Sequence, residues 1–331
     1  MRYHLRRAVP VVLLLLIAAI IGCSGPKKPE LTYPGTRSDT QLPTGVGTIT
    51  RVDRPLQANG ERERAGRPTI RPALFRFLRE RVFWTGSGGV RIELPPQQRG
   101  DDMRFLWINP VNLTPKTRYG SDVTLITDGS AGHYSLRDIE YVNDGHTTLV
   151  TPEGCRLVTR QGVHRTYLSG GGQVVELAPR QTTAVDGIRI ETTRAWADNV
   201  EGQDRSRHHV GYILFIDEDG DGRKDLTIWY VGPYSEGEAR PDNPELIAFN
   251  NVTDPALLSG RLPSYPVDIM IVQINSPCTL NPRAIVDLAG KVNAGVVMPV
   301  GQSLTTEADR DTLLALDAAC NRPLWFPPAP E

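Results

Sequence analysis

From about residue 72 onward, short runs of apolar and β-branched residues alternate with turn residues, the rhythm of a strand-rich protein. Val90-Arg91-Ile92-Glu93-Leu94 switches between apolar and polar positions as a half-buried strand does. Further strands are predicted over 103–108, 123–127, 147–150, 156–159, 174–177, 187–192, 212–216, 226–231, 246–249, 269–274 and 294–298. Asp128-Gly129, Asn143-Asp144-Gly145, Gly170-Gly171-Gly172 and Asp186-Gly187 separate them as turn signals. One clear helix closes the chain. Thr306 caps it, Glu307 and Asp309 complement its dipole, and Leu313, Leu316 and Cys320 share a face before Asn321 and Pro323 stop it. A fainter helical pattern lies at Leu74 to Arg81. These elements predict a mainly β fold, with β-sandwich-like antiparallel sheets and one C-terminal α-helix behind a disordered N-terminal tether. No repeat of fixed period appears, which argues against a propeller.

The N-terminus has a different pattern. Arg2, Arg6 and Arg7 precede an apolar run from Ala8 to Ile21 that only Pro10 interrupts. The run is shorter than the ~20 apolar residues of a spanning helix and has the layout of a secretory signal. Ile20-Ile21-Gly22-Cys23 resembles the lipobox of bacterial lipoproteins. The resemblance implies cleavage before Cys23, a diacylglyceryl thioether on its sulfur and acylation of the new amino terminus, and hence a membrane anchor. Ser24 follows Cys23 where Asp would mark inner-membrane retention, so in a Gram-negative organism lipoprotein sorting favours the outer membrane. The expected organisation is a signal peptide at 1–22, a lipidated flexible tether at 23–68 rich in Gly, Pro, Thr and charge, and a β-rich region at 69–331 with a subdomain break near 180–200.

Loss of residues 1–22, which carry three arginines and no acid, moves the net charge from −1 to −4. A mildly acidic chain with no basic block excludes a nucleic-acid partner and leaves a protein or glycan partner open. Three thiols remain besides Cys23. Cys278 and Cys320 are the preferred disulfide in an oxidising envelope, with Cys155 buried as a small apolar residue.

Asp217-Glu218-Asp219-Gly220-Asp221-Gly222-Arg223-Lys224-Asp225 carries the strongest chemical signal. Asp217, Asp219, Asp221 and Asp225, with the Arg223 carbonyl, supply hard oxygen ligands around a sharp turn at Gly222, a set suited to Ca²⁺. Strands are predicted on both sides, and Ile228 stands where an EF-hand has its bidentate glutamate. The loop resembles the calcium loops of FG-GAP repeats in integrin-like propellers and of thrombospondin repeats. That resemblance implies the ion and its ligands over about 20 residues, with a structural role for the calcium.

Other constellations are weaker. Leu168 to Gln173 is a glycine turn in a chain without a Walker A sequence, and Ser87 sits in a glycine loop without a nucleophile elbow. His208 and His209 point to opposite faces of a strand, while His133, His146 and His164 scatter through turns. Asp138 and Glu140, two apart on a predicted strand, share a face as a glycosidase pair would. Trp196, Trp229, Tyr230 and Tyr234 flank the acidic loop and could stack on a sugar ring. The expectation is a cell-envelope lipoprotein with a calcium-stabilised β-rich domain, a non-catalytic binding or structural module rather than an enzyme. The alternative is a carbohydrate-active or other hydrolase using carboxylates near the calcium loop.

Overall fold

Several strands of the C-terminal half are apolar on both faces instead of alternating, and this decides the architecture. The computed structural model describes residues 61–62, 68–85, 88–96, 102–114, 120–128, 135–155, 172–195, 209–217, 223–232, 263, 266–274, 282–301 and 307–327, all within the unit Thr50–Glu331. Among them the chain runs β1 (Glu61–Arg62), α1 (Pro72–Arg81), β2 (Val82–Trp84), β3 (Val90–Leu94), β4 (Arg104–Ile108), β5 (Ser121–Leu125), α2 (Leu136–Val142) and β6 (Asn143–Pro152). It continues through β7 (Gln173–Leu177), β8 (Thr182–Val185), β9 (Ile188–Arg194), β10 (Val210–Ile216), β11 (Leu226–Tyr230) and β12 (Ile269–Ile274). Then come α3 (Pro282–Lys291), β13 (Val296–Gly301), α4 (Glu307–Ala319) and β14 (Leu324–Trp325).

The strands form two sheets, one in the order β1-β14-β13-β12-β11-β10-β9-β8 and the other β2-β3-β4-β5-β6-β7. Both are mixed. β4 to β7 pair in parallel, as do β11 to β14, and the remaining pairings are antiparallel. A parallel pair needs a crossover rather than a hairpin. α3 supplies it between β12 and β13, and α4 between β13 and β14.

Residue alternation then sorts the side chains into layers. Ile228, Ile269, Ile271, Val296 and Met298 face the second sheet, packing with Val90, Ile92, Leu106, Ile108, Val123 and Leu125 in one core. Their neighbours Trp229, Met270, Val272 and Val297 point outward to Ile285, Leu288, Leu313 and Leu316 of α3 and α4. α2 covers the outer face of the second sheet, where Ile139 packs with Ile126, Leu149 and Cys155. The result is helix, sheet, sheet, helix. α1 crosses the amino ends of the parallel strands. Its Leu74, Phe77 and Leu78 plug the inter-sheet core, Arg71 bonds Asp268 just before β12, and Arg81 reaches the Met103 sulfur at 3.3 Å just before β4.

The antiparallel β-sandwich with a single helix is thereby corrected. Six parallel pairings and four helices are present among the described residues, because strands buried on both faces need helices outside each sheet. The faint pattern at 74–81 is the real helix α1, whereas α2 and α3 escaped the sequence pattern. The strands predicted at 156–159 and 246–249 lie outside the described residues. The stretch read as tether includes β1, which pairs with β14.

Candidate functional site

Where parallel strands end, backbone groups and side chains converge on a crevice, the usual ligand position of α/β sheets. Here the two sheets end on one rim, because Asn109, just past β4, bonds Tyr230 at the end of β11. The Asn109 side-chain amide donates to the Tyr230 hydroxyl at 3.2 Å and to Thr127 Oγ1 at 2.8 Å, while its oxygen accepts from the Thr127 amide at 2.9 Å. Asn109 does this with φ at 49°, a left-handed conformation that asparagine tolerates better than most residues. Tyr230 donates in turn to the Gly88 carbonyl at 2.7 Å, and Tyr212 of β10 donates to the Ile126 carbonyl at 2.7 Å. Both tyrosines therefore tie one sheet to the other.

Asp128 follows β5 and is wholly buried, with the Thr127 hydroxyl 3.2 Å from its carboxylate. His209, also buried, precedes Val210, whose amide donates to the Thr127 carbonyl, so the histidine and aspartate occupy neighbouring backbone positions. Burial pushes the Tyr212 hydroxyl well above its ordinary pKa, reinforced by Cys155 and Asp128. Burial raises Tyr230 likewise, against the Asn109 hydrogen bond and with Asp128 adding to the rise. Both stay protonated donors. The loop before β3 fits tightly, since a Cβ on Gly88 would stand 1.9 Å from Gln273 Nε2 and one on Gly89 2.5 Å from Thr85 Oγ1. Gln273, at the end of β12, is 5% exposed.

The acidic hairpin lies elsewhere. β10 and β11 pair as predicted, with Ile216 opposite Leu226 at the loop and the Asp225 amide bonded to the Ile216 carbonyl at 2.9 Å. Tyr212 opposite Tyr230 marks the other end of that ladder, about 14 Å away at roughly 3.4 Å per residue. Asp217 is half-buried and Asp225 and Arg223 are exposed, whereas Asp219 and Asp221 lie outside the described residues. Trp229 and Tyr230 thus sit near the rim rather than beside the loop, and Trp229 is buried with its indole donating to Thr193 Oγ1 at 3.2 Å. Asp138 and Glu140 stand on a helix, not a strand. The 200° between them buries the first and exposes the second, so they form no catalytic pair.

Cys320 is buried with its sulfur 3.6 Å from the Arg322 carbonyl. Cys23, Ser87, His133, His164, Trp196, His208, Tyr234 and Cys278 lie outside the described residues, and His146 is exposed. Sequence reading passed over Asn109, Thr127, Asp128, Tyr212 and Gln273. Their signal was a polar residue inside or ending an apolar run, as Gln273 interrupts Ile269–Ile274.

No family model matches the sequence, and no curated protein matches it. Solved structures share its arrangement at low identity. A metallo hydrolase from the archaeon Ignicoccus hospitalis is 12% identical with a TM-score of 0.48, over 76% of this chain and 95% of its own. The metallo-β-lactamase fold protein YhfI from Bacillus subtilis is 11% identical with a TM-score of 0.45, over 75% and 96%. The diiron β-hydroxylase CmlA from Streptomyces venezuelae is 12% identical with a TM-score of 0.46, over 75% of this chain but 52% of its own. These are likenesses of arrangement. The strand-end position of buried Asp128 is where such sheets hold ligands. On that ground the expectation of a non-catalytic module is withdrawn, and the buried carboxylate lies at the far end of β10 and β11 from the acidic hairpin that the alternative reading invoked.

All three of these neighbours are named for a metal. A catalytic zinc keeps three protein ligands, and among the described residues no group of three His, Cys, Asp or Glu side chains converges.

Proposed function

We propose that the chain is a hydrolase whose reaction centre is the rim around Asp128. The observation behind this reading is a wholly buried carboxylate where β5 ends, amid Asn109, Thr127, Tyr230 and Gln273. A carboxylate is costly to bury unless it is held or used. In this reading Asp128 takes the proton of an attacking water, and the Thr127 hydroxyl orients it, while Asn109 and Tyr230 fix Thr127 and the loop at Gly88. Positioned proton transfer contributes about 10²–10⁴ in rate. The test is turnover of chromogenic esters, phosphoesters and glycosides by the purified chain and by Asp128→Asn. The reading expects turnover in one class and a loss of about that size in the variant; a variant as active as the parent would end it.

The acidic hairpin, at the other end of β10 and β11, takes a structural calcium in this account, supported by its oxygen ligands and by the antiparallel strands that hold Asp217 and Asp225 at its base. Calcium should raise the melting midpoint and Asp219→Ala should remove the rise. Lipidation of Cys23 would place the rim at the cell envelope, at the outer membrane in a Gram-negative cell. Palmitate labelling that survives Cys23→Ala would refute the anchor.

A further inference from the structure

The sequence from Arg71 to Arg81 carries four arginines and one glutamate in a chain whose net charge is −1. The fold sets them on one short helix. α1 buries Leu74, Phe77 and Leu78 in the inter-sheet core, which turns Arg76 and Arg79 outward on the opposite stripe, with Phe75 half-buried at its flank. Arg79 lies within 5.8 Å of the Phe75 ring and 2.5 Å from Glu80. Arg71 is two-thirds exposed while bonded to Asp268. Phe75 packs edge-on against Trp325 at the margin of the core, so what α1 turns outward is a basic stripe, the charge that anionic lipid attracts.

Position supports the same occupant. α1 begins four residues after the stretch read as a tether from Cys23, and it closes the amino ends of the parallel strands, opposite the Asp128 rim. We propose that the Arg76–Arg79 face of α1 docks on an anionic phospholipid bilayer, turning the Asp128 rim away from the membrane. The inference rests on Cys23 lipidation for its place in the cell, though not for the docking itself. Opposing charges at this end are Glu80 and Asp268, each engaged with an arginine, Asp186 beside Arg104, Asp122 with Asp144 near it, and Asp217 and Asp225 at the base of the acidic hairpin. Calcium is therefore a variable of the test.

The experiment is vesicle flotation of chain 23–331 with Cys23→Ser, which carries no lipid, at low salt, with calcium and with chelator. Phosphatidylcholine vesicles with and without one-third phosphatidylglycerol are compared. The expected result is co-flotation only with the anionic vesicles, lost in 0.5 M salt. Arg76→Gln with Arg79→Gln should weaken it about thirtyfold, at an unchanged melting midpoint because both positions are exposed. Absence of flotation would overturn the proposal, and so would flotation indifferent to the two substitutions. Calcium-dependent binding that persists in the double variant would assign docking to the hairpin and overturn it too. Palmitate labelling of the wild-type chain in cells reads the anchor separately, so its failure would leave the helix result standing.

Discussion

At the scale of single residues, the rim is held by groups with little tolerance. The Tyr230 hydroxyl donates to the Gly88 carbonyl and accepts from Asn109, all in the buried space between sheets. Tyr230→Phe should remove the donor to the Gly88 carbonyl and one of the two acceptors of the Asn109 amide, and cost about 1–3 kcal/mol, seen as a lower urea midpoint. At the opposite end, Asp122 is half-buried and accepts from the Phe105 amide at 2.7 Å. Burial raises its pKa above the usual 3.8, and the charges of Asp186 and Asp144 add to the rise, against that amide and Arg104. The folded state therefore binds this proton more tightly than the unfolded chain. Below the unfolded value Asp122 costs nothing, and its penalty grows as pH rises through the raised folded value. Asp122→Asn, which can still accept from Phe105, should stabilise more near pH 7 than near pH 4 in parallel melts.

At the scale of elements, much was legible. Asp186-Gly187 reads as a tight hairpin turn, and the structure gives it φ values of 48° and 71° between Val185 and Ile188, which pair directly. Val90–Leu94 and the β10–β11 hairpin are strands where they were expected, although Arg91 is buried and β10 and β11 are buried at all positions but Phe215. Direction was the failure. Ile269–Ile274 and Val296–Gly301 are buried at every position, and such runs point to parallel strands covered on both faces. Reading them as ordinary strands hid the crossover helix between them. In α3 the buried set Ala284, Ile285, Leu288 and Ala289 has helical spacing, but two small residues keep the pattern faint. Leu288→Ala should cost about 2–5 kcal/mol in denaturant unfolding, whereas Leu314→Ala, at a position 42% exposed on α4, should change stability by less than about 0.5 kcal/mol. Asp138 and Glu140 failed for the same reason in reverse, since a period of two was read into a helical segment.

At the scale of the whole molecule, the two ends of the sandwich divide the chemistry. One end gathers strand termini, Asp128 and the inter-sheet tyrosines. The other carries α1, Arg71 with Asp268, and the base of the acidic hairpin. The hairpin could be read from nine consecutive residues, whereas the rim could not. Asn109, Asp128, Tyr230 and Gln273 are far apart in sequence and meet only through the order of strands across two sheets. Local motif reading can propose a site of the first kind and is blind to the second. No helix among the described residues is long and apolar enough to cross a membrane.

The most direct measurement compares Asp128→Asn with Asp225→Asn, each assayed for turnover of the substrate class found active and for melting with and without calcium. The account predicts that Asp128→Asn loses about 10²–10⁴ in kcat/KM at a near-parental midpoint, while Asp225→Asn keeps turnover and loses the calcium-dependent rise. Turnover that survives Asp128→Asn but falls in Asp225→Asn would move the reaction to the acidic hairpin and contradict the account.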